Sequence, residues 1–417
     1  MATFPPDSAA KPQRLEALDR IRGVAVLGIL LLNIVGFGMP GAAYDNPRAY
    51  GGWHGADLLV WAVNFVLFDG KMRGLFSFLF GASILLVAER AKASGCNAAR
   101  VHYTRMAWLL VFGVAHLLLV WDGDILAHYA LVGAFAFSLR HLPTERLVIL
   151  ALLLIAVATA MFALVPLQVW TLQHAAMDPA QVRQLQSLQD SFGVPSARSV
   201  AQELARYRGG YGQIVRARIV ESGANPFAML FFYGPETLAY MLLGMAALRN
   251  GMLAGGWQRQ RYRRWLGWCW GIALPVHLVL AAWLIASGFG LLPVTLGVLT
   301  LTAPFRPLMI LGWICLVQLA LRSDSRMAAR LSAAGRMAFT NYLTTSLLCT
   351  TLFYGYGLGW YGRLSRWQLY PIVALVWALI LLWSPLWLAH FRFGPLEWLW
   401  RSLARGTPQP MRRSSPK

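Results

Sequence analysis

Long apolar runs recur along the chain, divided by short polar stretches in which arginine is prominent. A bilayer core takes about 20 helical residues. Runs of that length, to within a few residues, occupy 21–39, 105–121, 125–139, 147–169, 227–248, 265–287, 337–354 and 371–389. Two further regions, 57–88 and 288–321, are split by DGKMR at 69–73 and by APFRP at 303–307. Each reads as one broken helix or as two short ones.

The basic residues decide between these counts. If both split regions cross once, most of the 37 Lys and Arg residues fall on one side. They lie in the N-terminus, in the loops near 89–105, 140–146, 249–264 and 322–336, and in the C-terminal tail. If both cross twice, the basic loops 89–105 and 249–264 change sides. Short positively charged loops stay in the cytoplasm. The pattern therefore predicts an all-α polytopic membrane bundle of about ten helices, two of them broken (57–88 and 288–321), with both termini cytoplasmic. The corresponding organisation is an N-terminal segment 1–20, a first membrane half 21–169 with polar cavity residues, an outer-face loop 170–226, a second membrane half 227–391 and a basic tail 392–417.

The loop 170–226 carries helix signals of its own. Asp178-Pro179 supplies an N-cap and a first-turn proline ahead of Val182, Leu185 and Leu188, and Ser199 with Gln202 resembles a capping box. Two short amphipathic helices lying over the outer face are expected, acting as a lid or as a passive cap.

Composition agrees with a membrane location: 58% of residues are hydrophobic and 13% charged. The net charge of +20 sits in loops between apolar runs and forms no compact basic domain, which argues against nucleic acid as a partner and leaves membrane lipids. Cys96, Cys269, Cys315 and Cys349 stand singly, so no disulfide framework or metal site is expected.

Candidate chemistry lies where polar groups enter apolar runs. In HLLLVWDGDILAHYA, Asp122 and Asp124 occupy a tight hairpin, and His116 precedes Asp122 by 6 residues, about 9 Å along a helix and inside the hydrocarbon. An ionisable group at that depth faces a bundle interior or a wet cavity. His128 follows Asp124 by four residues, so that carboxylate is expected to orient its imidazole. Asp19, Arg20 and Arg22 open the first helix, with Asn33 on much the same face as Arg22. Asp69, Lys71 and Arg73 fill a helix break, Glu236 enters the sixth helix beside Pro235, and Asn341 and Tyr342 lie within the ninth. Each alone serves as an interhelical hydrogen bond or as a functional group. Together they imply a polar intramembrane cavity.

The stretches LDRIRGVAVLGILLLNI (18–34), DGKMRGLFSFLFGAS (69–83), HLLLVWDGDILAHYALVG (116–133), GRMAFTNYLTTSLLCTTLFY (335–354) and FGPLEWLWR (393–401) resemble, in order, blocks of the YeiB-like family of bacterial inner-membrane proteins. That family is similar, more distantly, to membrane acyltransferases such as heparan-alpha-glucosaminide N-acetyltransferase. The resemblance implies a multi-pass inner-membrane enzyme that takes an acyl group from acyl-coenzyme A and passes it to an envelope glycan or lipid acceptor. In the glucosaminide enzymes a catalytic His stands three residues before a Trp-(His/Asn)-Gly triplet. Here the triplet is Trp53-His54-Gly55 and that position is Tyr50, so the base is His54 or His116, or the chemistry is lost.

Three functions follow. In acyl transfer, His116, His54, Asp122 and Asp124 are catalytic candidates, and Asp19, Arg22, Lys71 and Arg73 would handle the anionic donor. A proton-coupled transporter or flippase would use the two broken helices and the buried His and Asp groups. A sensor or scaffold would use the polar groups only to hold helices together.

Overall fold

The computed structural model describes residues 10–174, 178–222, 225–321 and 325–413. The chain enters through α1 (Ala10–Gly38), continues as α2 (Gly55–Leu67) and α3 (Lys71–Ala93), and makes the hairpin α4 (Ala98–Leu119) and α5 (Leu126–Ala136) before the long α6 (Thr144–His174). Three short helices follow: α7 (Pro179–Phe192), α8 (Ala197–Tyr207) and α9 (Tyr211–Ser222). The second half contains α10 (Asn225–Arg249), α11 (Arg259–Ala286), α12 (Leu291–Val294) running into a π-helical stretch Thr295–Leu301, and α13 (Arg306–Ala320). It closes with α14 (Arg326–Arg336), α15 (Ala338–Phe353), α16 (Tyr370–His390) and α17 (Pro395–Arg405).

Among the described residues, seven spans are long and apolar enough to cross a membrane: those within α1, α4, α6, α10, α11 and α16, and α2 with α3 together. The pair α12 and α13, bent by 57°, makes an eighth. The other two expected crossings fold as shorter helices, α5 with 11 residues and α15 with 16. Apolar side chains face outward, among them Leu152, Leu153 and Leu164 on α6 and Leu375, Leu382 and Leu386 on α16, while His116, Asp124, Glu236 and Arg306 are buried. This inversion is the mark of a chain solvated by lipid.

At the centre, α3 packs against α1, α10 and α13. The contact with α10 depends on two glycines: a Cβ on Gly81 would lie 2.0 Å from the Met241 carbonyl oxygen, and one on Gly244 1.9 Å from that of Phe78. Such close approach gains dispersion energy where lipid supplies no hydrophobic force between helices.

Both expected breaks are present, and they meet. Gly70, at φ +68°, turns the chain from α2 into α3, a left-handed conformation that glycine adopts without a Cβ penalty. The carbonyls freed at the end of α2 are taken by side chains: Trp313 Nε1 donates to Leu67 O at 2.9 Å and Lys71 Nζ to Phe65 O at 2.5 Å. At the second break Arg306 Nη2 donates to Val298 O at 2.8 Å. A Cβ on Gly70 would lie 2.9 Å from Arg306 Nε, so the two interruptions abut and cover each other's irregular backbone.

One end of the bundle, called the capped end below, is covered by α7–α9, which makes three helices where two were expected. Asp178 caps α7 with its Oδ1 2.8 Å from the Ala180 and Gln181 amides, as expected. The cap of α8 is Ser196, whose Oγ accepts from Ser199 N at 3.1 Å, so the expected Ser199–Gln202 box is displaced by one turn. The cover is tied down: Tyr207 Oη donates to Asp122 at 2.8 Å, Gly41 N to Glu203 at 2.8 Å, and Tyr211 Oη to Leu119 O at 2.9 Å. The opposite end carries α17 and the arginines near the start of α1, and is called the basic end.

Candidate functional site

Two chambers lie end to end inside the bundle. The basic-end chamber has a volume of about 330 Å³ and is bordered by Arg22, Arg90, Arg105, Arg336 and Arg401, with apolar walls from Val26, Phe76, Phe80 and Leu109. Arg22 pairs with Asp19 at 2.7 Å and reaches Ser83 Oγ at 3.3 Å. Arg105 lies over the Trp400 ring at 4.3 Å and Arg401 over Phe393 at 4.5 Å, which orients both guanidinium groups without neutralising them. The chamber continues into a wider vestibule of about 920 Å³ bordered by Arg90, Arg100, Arg105, Arg401 and Arg405. The wall of the basic-end chamber is fixed by Glu397 of α17, whose carboxylate accepts from the amides of Phe339 and Thr340 at 2.8 and 3.1 Å and so caps α15. Burial raises the Glu397 carboxyl above the ordinary carboxylate range, opposed by these bonds and by the Thr340 hydroxyl.

The capped-end chamber has a volume of about 380 Å³. Asn33 of α1, Asp45 of the α1–α2 loop, Asp69 at the first break, Arg73 of α3 and Arg306 of α13 border it, with Tyr44, Trp121, Asp122 and Tyr233. Glu236 sits behind this wall, paired with Arg73 and, at 2.9 Å, with Arg306, and accepting from Tyr240 Oη at 2.9 Å. Burial, with the charge of Asp69 adding, pushes the Asp45 carboxyl up to about 7, against the pull of Arg306.

Ile29, Ile125 and Tyr342 border both chambers and form the partition between them. Beside it lies a dyad. His116 Nδ1 stands 2.8 Å from Asp124 Oδ1, and Asp124 Oδ2 accepts from Ala127 N at 2.9 Å. One carboxylate thus starts α5 and fixes the imidazole across the hairpin. Gly113 allows the approach, since a Cβ there would lie 2.2 Å from Ala127 N. Because Nδ1 must carry a proton to donate to the carboxylate, the neutral ring offers its lone pair at Nε2. That atom is buried with no partner among the described residues, and the Tyr342 ring centre is 5.4 Å from the imidazole.

The structure brings together some of the residues singled out in the sequence and separates others. Asp19 and Arg22 share the basic-end chamber, Asn33, Arg73 and Asp122 the capped-end chamber, and His116 and Asp124 the dyad. The expected cation group is divided, because Arg73 is held at the capped end by Glu236. Lys71 borders neither chamber, being buried against the last turn of α2. His54 is exposed, lies tilted against Trp53 with ring centres 4.1 Å apart and also borders neither. His128 is not oriented by Asp124, which turns to His116; its Nε2 meets Thr237 Oγ1 of α10 at 2.9 Å instead. Glu236 and Asn341 act as clasps: the Asn341 amide donates to Ala334 O at 3.0 Å and accepts from Trp383 Nε1 at 3.0 Å, away from both chambers. Tyr50 Oη donates to Gly362 O at 2.7 Å and ties two loops.

Asp45, Arg90, Arg105, Arg306 and Arg401 were given no role from the sequence. Asp45 stands in YDNP, which reads as a turn, Arg306 lies in the APFRP interruption, and Arg90, Arg105 and Arg401 read as loop or tail charges; only the structure places them on chamber walls. Among the described residues there is no group of three or more His, Cys, Asp and Glu that would hold a metal ion.

Residues 247–407 match the family described as "Protein of unknown function (DUF418)". The chain is 34% identical over 400 residues to the uncharacterized protein YeiB of Escherichia coli, covering 94% of this chain and 96% of that protein. It is 30% identical over 413 residues to the uncharacterized protein YxaH of Bacillus subtilis, covering 97% of each. No solved structure matches.

Proposed function

We propose that this chain, which belongs to the YeiB-like family of membrane proteins, is an integral-membrane acyltransferase that moves an acyl group from acyl-coenzyme A to an acceptor of the cell envelope. The observation that carries this reading is the Asp124–His116 dyad, whose unpartnered Nε2 lies beside Tyr342, a residue common to both chambers. In this reading the basic end faces the cytoplasm of a bacterial inner membrane, as its arginines favour. Donor and acceptor enter from opposite sides and meet at the partition.

The phosphates of the donor are held by Arg22, Arg90, Arg105 and Arg401, with the thioester directed along the apolar walls toward Tyr342. The acceptor hydroxyl or amine gives its proton through the Tyr342 hydroxyl to His116 Nε2, and its heteroatom attacks the thioester carbonyl carbon. The C–S bond breaks, and the thiolate leaves with the proton returned by the imidazolium. Asp124 stabilises the imidazolium and holds the reactive tautomer.

A second reading, proton-coupled transport, draws support from the contact of the two broken spans at Gly70 and Arg306, since transporters place their sites at discontinuous helices.

The test is thermal unfolding of the detergent-purified protein with and without acetyl-coenzyme A and longer acyl homologues. A ligand at 100 times its dissociation constant adds about 2.7 kcal/mol of stability. Acyl transfer predicts a rise that Arg22→Ala and Arg401→Ala abolish. No rise with any donor, together with proton-driven flux in sealed vesicles, would move the assignment to transport.

A further inference from the structure

The capped-end chamber is rich in polar groups that are not engaged by one another. Asp45, Asp69 and Asn33 border it, and among the described residues none of their side chains makes a hydrogen bond. Its two cations are already engaged by Glu236. Among the described residues, two buried donors on the chamber wall are left without a partner, Arg306 Nε and the Tyr342 hydroxyl. Around these groups stand the aromatic side chains of Tyr44, Trp121 and Tyr233.

We infer that this chamber binds a sugar, a polyhydroxylated ring that is neutral or carries an amine, and that the sugar is the acyl acceptor. The role as acceptor rests on the acyl-transfer reading; the binding does not. Adjacent ring hydroxyls are donors that carboxylates and an amide oxygen accept together, one ring oxygen can take the Arg306 Nε–H, and the C–H face of the ring packs on aromatic side chains. A lipid alcohol with one hydroxyl would meet one of these groups, whereas a sugar meets several at once. The volume of about 380 Å³ lies within the range of small-ligand sites and leaves little space for a longer glycan. Among the described residues, four carboxylates, Asp45, Asp69 and Asp122 on the wall and Glu236 behind it, stand against the two arginines. The excess of negative charge disfavours phosphorylated and acidic sugars and favours an amine.

Calorimetric titration of the full chain in nanodiscs, without an acyl donor, tests the inference with glucose, glucosamine and glucose 6-phosphate as probes. Millimolar binding of glucosamine and glucose is expected, with glucose 6-phosphate at least tenfold weaker. Asp69→Asn should weaken binding of both sugars at least tenfold, with an unchanged unfolding temperature showing that the fold persists. If Asp69→Asn fails to fold, Trp121→Leu, which removes one aromatic wall, should weaken the same two sugars. Heat from none of the sugars, or equal binding of all three, would overturn the inference. Acyl transfer to a lipid with no sugar binding would sink the sugar and keep the transferase, whereas sugar binding with no response to any acyl donor would do the reverse.

Discussion

Asp124 holds His116 across a hairpin, with one carboxylate oxygen 2.8 Å from Nδ1 and the other 2.9 Å from the Ala127 amide. The two oxygens have separable duties. In Asp124→Asn the amide oxygen can still cap α5, while the NH₂ group meets Nδ1 as a donor and forces the imidazole proton onto Nε2. The fold should persist and acyl transfer should fall by about 10³-fold or more. Asp124→Ala loses the cap as well and leaves a buried imidazole unpaired, at a cost of about 3 kcal/mol or more. Transfer kinetics alongside thermal unfolding separate the two variants.

Glu236 joins α3, α10 and α13 by holding Arg73 and Arg306. Glu236→Gln takes the shared carboxylate from the buried Arg306 and the half-buried Arg73, which should cost about 3 kcal/mol and show as a drop in unfolding temperature. Adding Arg306→Met to Glu236→Gln should recover part of that loss, because the pair and not either charge alone is tolerated at this depth.

The meeting of α3 and α10 makes a sharper steric claim. Gly244→Ala puts a methyl group 1.9 Å from the Phe78 carbonyl oxygen, where only backbone movement relieves the clash. A cost of about 1–3 kcal/mol is expected in thermal unfolding. Gly267→Ala on α11 meets nothing within 4 Å and should be neutral or slightly stabilising.

Asp45 predicts a pH dependence. Its carboxyl is pushed up to about 7, first by burial and then by Asp69, while Arg306 opposes and Tyr44, Tyr233 and Arg73 stand around the same chamber. A folded value above the unfolded one, which is about 4, means that the folded chain holds the proton more tightly. The resulting stability is complete below about pH 4 and is lost as pH rises through about 7. Asp45→Asn removes the dependence, so the variant should gain on the parent protein between pH 5 and pH 8 in unfolding temperature. A difference that stays constant over that interval would contradict the assignment.

Much of this was legible in the sequence for definite reasons. Spans announce themselves because the bilayer demands about 20 apolar residues. The breaks at 69–73 and 303–307 announce themselves because their polar residues need cover. Helix α9 was missed because YGQIVRARIVES opens without a capping residue and carries its apolar residues on no clean stripe. The partner of His116 was missed because helical periodicity couples residues three or four apart, whereas Asp124 is eight away and returns through a turn. Arg90, Arg105 and Arg401 come from three separate helices, and nothing local in any of them points to the others.

The most direct measurement of the central claim is transfer of a labelled acetyl group from acetyl-coenzyme A, with release of the free thiol, in proteoliposomes of the parent protein and of His116→Gln. Thiol release and labelled acceptor are expected with the parent protein, and neither with a His116→Gln variant that still unfolds at the parent temperature and still binds the donor. Equal transfer by His116→Gln, or a parent protein that binds the donor and never releases its thiol with any sugar or lipid acceptor, would contradict it.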